Sequence, residues 1–352
     1  MPLTAAQLAA GANLQLETYA KGDPVDSINP RRPFMAWLLK NKKASVFSNG
    51  VFNEKVRISN NGNYQNYTGD DQVTYNRRDT VRRAPFQHYE SHDGFSLNET
   101  ELANNGIILT DDQSATPTAQ EETQVVNLLR ENYQVMKQSM EEGWDQEVHL
   151  DGTQNSKAVP GLDALVSTTP SVGTIGGLDA ATYTFWRNNA DLAISTATAG
   201  NLVDHMETQW RACTTYGKRV PDFIVCGSAY YDAYRKDANS VVSRYIEGSG
   251  NQRGGVSIDP STGDLYFKKV LVVWDPTFDA LDVANPGLTY PWIKRCYFLS
   301  SSAFFLRPFK GRWMIQRKPP RMYDRYTYYW GKTADYGITM PARNCHSVLS
   351  IA

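Results

Sequence analysis

The sequence predicts an α+β chain organised around one long helix, and three observations carry that expectation. The first is the helix itself, over residues 118–148. The second is a polar two-stranded stretch upstream of it, too poor in apolar surface to stand alone. The third is a downstream alternation of apolar strand-length runs with amphipathic helical segments, the texture of a central mixed sheet with helices packed on it.

Thr118 and Glu121 announce the long helix with the Thr-x-x-Glu spacing of a capping box. The threonine oxygen accepts from the backbone N–H at the glutamate, and the glutamate reaches back to the N–H of the cap. Val125, Leu129, Tyr133, Met136, Met140 and Trp144 then recur every three or four residues and draw one narrow apolar stripe. Glu121, Glu122, Arg130, Glu131, Lys137, Glu141 and Glu142 fill the remaining surface. At about 1.5 Å per residue the rod is ~45 Å long, well beyond an ordinary helix. So narrow a stripe on so long a rod predicts a spine lying across a thin body rather than a helix sunk in a globule.

Upstream, residues 1–30 read as an extended or weakly helical arm with turn signals at Gly22-Asp23-Pro24 and Asn29-Pro30. Pro33–Lys43 predicts a short amphipathic helix around Phe34, Trp37 and Leu38. Val51–Ser59 alternates, with Phe52, Val56 and Ile58 among polar residues, and Asn60-Asn61-Gly62-Asn63 predicts a hairpin turn because Asn and Gly tolerate positive φ. Val73, Tyr75 and Val81 return through Arg77, Arg78, Arg82 and Arg83. Two such strands do not hold together alone in water. They predict an arm that lies on another molecule.

Downstream, Asn201–Tyr216 reads as a helix through Leu202, Val203, Met206 and Trp210. Pro221–Cys226 predicts a buried strand and Ser228–Lys236 a short helix capped by Ser228. Leu265–Trp274 and Cys296–Leu306 each read as one apolar strand. From Trp313 to Ile351 aromatic and basic residues alternate as paired strands would.

With 352 residues the chain can bury one large core or two modest ones, and a formal charge of −1 excludes a protein that grips nucleic acid over its whole surface. Cys213, Cys226, Cys296 and Cys345 are scattered without a C-x-x-C pair, the usage of a reducing compartment. No apolar run approaches the ~20 residues of a membrane span. Met1–Gln15 lacks the pattern of a signal peptide. A soluble product made in the cytoplasm is expected.

The tools of catalysis are missing from the sequence. His88 and His92 are four apart, but Gly94 and a strand-like context argue against two ligands on one helical face. Gly248-Ser249-Gly250 with Gly254-Gly255 lacks the phosphate-loop spacing, and Cys226-Gly227-Ser228 is not a nucleophile elbow. Asp111-Asp112 and Glu141-Glu142 read as a helix approach and a solvated face. No catalytic residue, cofactor or metal is expected.

Three strings carry a family likeness: His92-Asp93-Gly94 through Glu101-Leu102, Gly161-Leu162-Asp163 through Trp186-Arg187-Asn188, and Pro221-Asp222-Phe223-Ile224 followed by Tyr230-Tyr231. In these strings and in the order of its elements the chain resembles, over nearly its whole length, the major capsid proteins of tailed bacteriophages with the Hong Kong-97 shell fold. The resemblance implies an N-terminal arm at 1–45 and an extended two-stranded loop at 46–92. It implies a peripheral domain at 93–160 with the spine helix at 118–148, an axial domain at 161–300, and peripheral strands at 301–352. It implies hexamers and pentamers closing an icosahedral virion shell around double-stranded DNA, held non-specifically and assembled in the host cytoplasm without any catalysed reaction. A portal protein is an implied partner, and a decoration protein an admissible one. Because some 45 residues precede the extended loop, a separate scaffolding protein is expected.

In that frame the hairpin residues Arg77, Arg78, Arg82 and Arg83 would pair with Glu121, Glu122, Glu141 or Glu142 on a neighbour's spine helix. Lys55 and Asn344 supply the raw materials of the Lys–Asn isopeptide bond found in some shells of this fold, though no local signature picks them out. Three other readings stay open. One is an encapsulin-like compartment. Another is a nucleic-acid-binding protein using the basic aromatic tail, where Arg307, Lys310, Arg312, Arg317, Lys318, Arg321 and Arg325 stand among Trp313, Tyr323, Tyr326 and Tyr328. The third is a hydrolase on a mixed α/β fold, which would need a pocket of convergent polar groups that this sequence does not display.

Overall fold

The computed structural model describes residues 30–44, 50–60, 62–98, 100, 119–198, 200–215, 219–243, 256–258, 264–317 and 327–352. The expected N-terminal arm, the capping residue Thr118 and the glycine-rich 248–255 stretch lie outside the described residues. The chain divides into two units, one gathering His92–Glu142 and Met314–Thr333, the other Arg31–Ser91, Gly143–Trp313 and Ala334–Ala352.

The larger unit begins with α1 (Pro33–Lys40), where proline in the first turn suits a position whose N–H needs no helical partner, and Phe34, Met35 and Leu38 bury. A ribbon follows, β1 (Val51–Arg57) antiparallel to β2 (Val81–Gln87), with Val51 opposite Gln87 and Arg57 opposite Val81. Then come β3 (Tyr89–Asn98), the 31-residue α2 (Ala119–His149), the single turn α3 (Leu162–Leu165), and the small hairpin of β4 (Thr174–Ile175) and β5 (Leu178–Asp179). Next are β6 (Asn189–Ile194), α4 (Asn201–Thr214), β7 (Phe223–Cys226), α5 (Ser228–Ser243), β8 (Val256–Ile258), β9 (Leu265–Phe267), β10 (Val270–Trp274) and α6 (Pro276–Ala284). The chain closes through β11 (Arg295–Leu299), β12 (Phe305–Pro308), β13 (Ile315–Arg317), β14 (Thr327–Thr339) and β15 (Ser347–Ile351).

The centre of the larger unit is a seven-stranded mixed sheet in the order β6-β15-β11-β7-β10-β9-β8. β15 runs parallel to β6 and β10 parallel to β7; the other neighbours are antiparallel. All five residues of β11 and all five of β15 are buried, as strands covered on both faces require. On one face, Leu202, Met206 and Trp210 of α4 and Tyr230 and Tyr234 of α5 pack over Ile224, Cys226, Val272, Cys296, Phe298 and Leu349. On the other face Phe278 stacks on Trp292 and Tyr297, with ring centroids 5.5 and 5.8 Å apart. Trp37 of α1 lies flat on Phe223 at 5.1 Å. Each such ring removed from water contributes roughly 2–3 kcal/mol.

Four expectations need correction here. Leu265–Trp274 is not one strand but a hairpin, β9–β10, reversed at Lys268 and Lys269 with φ of 47° and 69°. Lysines are not turn residues, so the apolar run hid the reversal. Cys296–Leu306 likewise divides into β11 and β12, and the Ala303 N–H closes a turn on the Ser300 carbonyl at 3.1 Å. Helix α5 runs on to Ser243, past the expected end at Lys236. Its cap is Gly227, whose carbonyl accepts from Tyr231 N–H at 3.0 Å, and not Ser228. A side chain at Gly227 would strike the Ile293 backbone at 2.5 Å, while Ser228 gives its N–H to Asp279.

The long helix follows its expected stripe where side chains are described: Met136, Met140 and Trp144 are buried, and Val148 continues the row. Val125 and Leu129 fall outside the described side chains. In the larger unit Trp144 meets Trp313 and Tyr336 edge-on, each at 5.6 Å, and fixes the C-terminal turn of the helix. In the smaller unit Phe95 of β3 stacks on Trp330 of β14 at 5.4 Å. There Ile315–Arg317 of β13 pairs with Gly331–Thr333 of β14.

Candidate assembly surfaces

The β1–β2 ribbon has two chemically different faces. Alternation puts Phe52, Val56, Ala84 and Phe86 on the inner face, and all four are buried. Gly176 and Gly177, both at positive φ in the turn between β4 and β5, seat this face. A Cβ on Gly176 would sit 3.1 Å from both Ala84 and Phe86. Gly337 gives the other close approach, since a Cβ there would lie 2.7 Å from Phe52 and from the Gln87 carbonyl. Glu54 completes the seat through an ion pair with Arg307.

The outer face carries Lys55, Arg57 and Arg83, all exposed, with Lys55 directly opposite Arg83. Among the described residues no acid pairs with any of the three. Like charges placed opposite one another repel. The face therefore favours an acidic surface from elsewhere. Sequence reasoning missed Arg57, and it grouped Arg82 with Arg83 although alternate positions on a strand face apart. Arg82 bonds Asp79 at 2.8 Å within its own ribbon, and that carboxylate, with Tyr183, holds its guanidinium pKa above the ordinary value.

Beyond Ile58, whose N–H donates to the Thr80 carbonyl at 2.9 Å, side chains replace the main-chain ladder. Asn63 donates to Thr74, and Gln65 accepts the Thr74 N–H at 3.2 Å. The reversal lies at Thr68–Asp71 and not at Asn60–Asn63. The Asp71 N–H donates to the Thr68 carbonyl, the Asp71 carboxylate accepts the Thr68 N–H at 2.9 Å, and Gly69 takes φ 52°. Asn60–Asn63 lost to it because Asp71 closes its turn from both ends. Around this tip Tyr64 and Tyr75 are 90% and 92% exposed, and Arg77 and Arg78 are exposed beside them.

Of the four acids expected to answer the hairpin, Glu142 is exposed, and Glu141 is half-buried, 3.9 Å from Lys137 one turn away. Glu121 and Glu122 lie on the helix, in the part whose side chains are not described.

A second cluster, with no motif in the sequence, closes the end of the long helix inside the larger unit. His149 is fully buried; its Nδ1 donates to the Asp145 carbonyl at 2.6 Å, and its Nε2 faces the Asp275 carboxylate at 3.6 Å. A carboxylate facing Nε2 favours the charged imidazole. The pKa of His149 is accordingly raised by Asp275 and Asp145 against the lowering effect of burial, and that of Asp275 is lowered by His149. Asp145, whose pKa burial raises, bonds Thr277, with Arg32 4.0 Å away. Asp275 also accepts the Phe34 N–H and caps α6 at Thr277 N–H. The cluster clasps α1, α2 and α6. The only available sequence signal was the Asp145–His149 spacing of four.

Among the described residues no group of three His, Cys, Asp or Glu side chains is placed to hold a metal ion, and no helix is long and apolar enough to cross a membrane. No family sequence model matches the chain, and no curated protein sequence does. Solved structures do match. The capsid asymmetric unit of cyanophage A-1(L) is 12% identical, covers 93% of this chain and 94% of its own, and superposes with a TM-score of 0.54. The capsid of the Myoviridae phage XM1 is 12% identical over 100% and 99%, at 0.52. The capsid of cyanophage P-SCSP1u is 10% identical over 94% and 91%, at 0.54. At such identities the likeness is one of fold: this α+β chain has the fold of phage capsid chains.

Proposed function

We propose that this chain is the major capsid protein of a tailed phage, a structural subunit that self-assembles into the hexamers and pentamers of an icosahedral shell. The observation that carries the reading is the likeness to capsid chains over 93–100% of this chain and 94–99% of theirs. Its work is association: many weak contacts from ribbons that reach several neighbours add by multivalency. We assign Lys55, Arg57 and Arg83, with Arg77 and Arg78 at the tip, to the acidic face of a neighbour's long helix at Glu121, Glu122 and Glu142. Arg82 keeps the ribbon in shape through Asp79, and Glu141 is shared with Lys137. Catalysis has no part in this reading. Double-stranded DNA would be met non-specifically on the inner face, and a scaffolding protein, a portal and a decoration protein are the further partners it calls for.

Light scattering and negative-stain imaging of the purified chain, alone and with a co-expressed scaffolding protein, test the proposal. Shells or capsomers in the megadalton range support it, and enclosed protein cargo in place of DNA would move it to an encapsulin-like compartment. A stable monomer under both conditions would refute it.

A further inference from the structure

Cys226 and Cys296, far apart in sequence, lie directly opposite one another on β7 and β11 at the middle of the central sheet. The adjacent pair, Gly227 and Arg295, is joined by an N–H to carbonyl bond of 3.0 Å. Pairs alternate along an antiparallel ladder, so Cys226 and Cys296 occupy a non-hydrogen-bonded pair, with Cα atoms about 4.5 Å apart. That separation lies inside the roughly 4.4–6.8 Å range over which a disulfide closes. Both side chains point to the same face, beneath α4 and α5, and both are fully buried. Burial and the neighbouring Cys296 push the Cys226 thiol well up. The other two cysteines are engaged elsewhere: Cys213 with Asn189 and Cys345 with the Ala342 carbonyl.

We propose that Cys226 and Cys296 are an oxidisable dithiol, which a peroxide closes into a cross-strand disulfide stapling β7 to β11. One sulfur, as thiolate, attacks a peroxide oxygen. The O–O bond breaks, a sulfenic acid forms, and the departing hydroxide takes the proton the thiol released, leaving as water. The second sulfur then attacks the sulfenic sulfur. The S–S bond forms, the S–O bond breaks, and the second thiol's proton leaves with that oxygen as a second water. Two thiols thus supply the two electrons that reduce one peroxide to two waters. Buried, protonated thiols react only when the sheet opens locally, so closure is slow and favours a reagent as small as hydrogen peroxide. Once formed, the bond ties strands separated by a long loop and restricts the unfolded chain. This chemistry goes beyond the assembly reading and holds or fails without it.

The experiment is native incubation of the purified chain with hydrogen peroxide just below its Tm, followed by thiol titration, intact mass and non-reduced peptide mapping. Free thiols should fall from the sequence's four to two. The mass should drop by two hydrogens, one linked peptide should join Cys226 to Cys296, and Tm should rise until dithiothreitol reverses it. Cys213→Ser should keep the link. Cys296→Ser should abolish both link and Tm rise while folding with the same circular dichroism. Retention of all four thiols, a link between other cysteines, or sulfinic and sulfonic products at Cys226 and Cys296 without a link would overturn the proposal.

Discussion

The β1–β2 ribbon and the central sheet use the same backbone pairing for opposite ends. In the sheet, every residue of β11 and β15 is buried, and α4 and α5 cover one face. In the ribbon one face is seated on its own chain through Phe52, Val56, Ala84 and Phe86, while the other shows Lys55, Arg57 and Arg83 to solvent with no acid beside them among the described residues. The difference teaches where stability and association separate. Substitutions in the sheet should unfold the subunit. Substitutions on the outer ribbon face should leave the subunit folded and remove its partners.

The largest expected effect breaks that comparison on the ribbon side. Arg57→Glu with Arg83→Glu places two acids opposite and beside Lys55, where they relieve the repulsion within the ribbon but meet the neighbour's glutamates. Shells should vanish from sedimentation profiles while the monomer's thermal midpoint stays put or rises slightly. Normal shells from the double variant would show that this face binds nothing acidic. On the sheet side, Phe298→Ala removes a fully buried ring that stacks on Phe267 at 6.0 Å and meets Trp210 edge-on at 6.1 Å. It should destabilise the subunit by about 3–5 kcal/mol in urea, the range of buried phenylalanine deletions. A loss below about 1 kcal/mol would mean that the core relaxes around the gap.

These two regions also divide what the sequence disclosed. Met136, Met140 and Trp144 on the long helix, and Leu202, Met206 and Trp210 on α4, were legible because helical burial leaves a period that one strand of text records. The two-stranded ribbon was legible from Phe52, Val56 and its polar flanks. Its outer face was not, because which of Arg82 and Arg83 points outward depends on register, and register is a relation between segments. Cys226 and Cys296 were hidden for the same reason, and the Asp145–His149–Asp275 clasp too, since its members come from one helix and the cap of another. The divided strands were lost to local chemistry: Lys268-Lys269 turns the chain without the residues that usually mark a turn, and the serines of Ser300–Ala303 are a turn signal enclosed by apolar runs on both sides.

The clasp gives a smaller effect, on the order of 1.4 kcal/mol for each unit by which a pKa is displaced. The His149 pKa lies above its ordinary 6.5, so its contribution is complete below that value and is lost as pH rises through the folded pKa. The Asp275 pKa lies below its ordinary 3.8, so its contribution is present above that value and is lost as pH falls through the folded pKa. Asp145 runs against both, because its raised pKa makes ionisation on the alkaline side a cost. The clasp's own contribution should therefore be greatest between about pH 4 and 6.5 and decline toward alkaline pH, whereas buried His346, whose pKa burial lowers to about 3, costs the subunit stability as pH falls below 6.5. Urea midpoints measured from pH 7 to 9, above the titration of His346, check the slope, which His149→Gln should flatten. A difference between wild type and His149→Gln that grows with pH in that range would mean that His149 is buried neutral.

The smallest effect sharpens the contrast from inside the sheet. Lys268 and Lys269 turn β9 into β10 with both φ positive, a conformation in which a Cβ is strained by about 1–2 kcal/mol per residue. Lys268 has a compensation, since its ammonium reaches Glu207 at 2.6 Å and lies over the Trp210 ring at 5.7 Å. Lys269 is exposed, and no contact of its side chain offsets the strain. Lys269→Gly should therefore raise stability by up to about 1 kcal/mol, the relief of strain being partly cancelled by the greater freedom of glycine in the unfolded chain. Lys268→Gly should gain less or lose, because it also deletes the ion pair. Urea midpoints with an unchanged m value would measure both, and equal gains at the two positions would show that the Glu207 contact contributes nothing. A turn kept in a strained conformation by two lysines, where asparagine and glycine would relax it, then stands as the sheet's counterpart to the ribbon: local stability given up at one exposed cation.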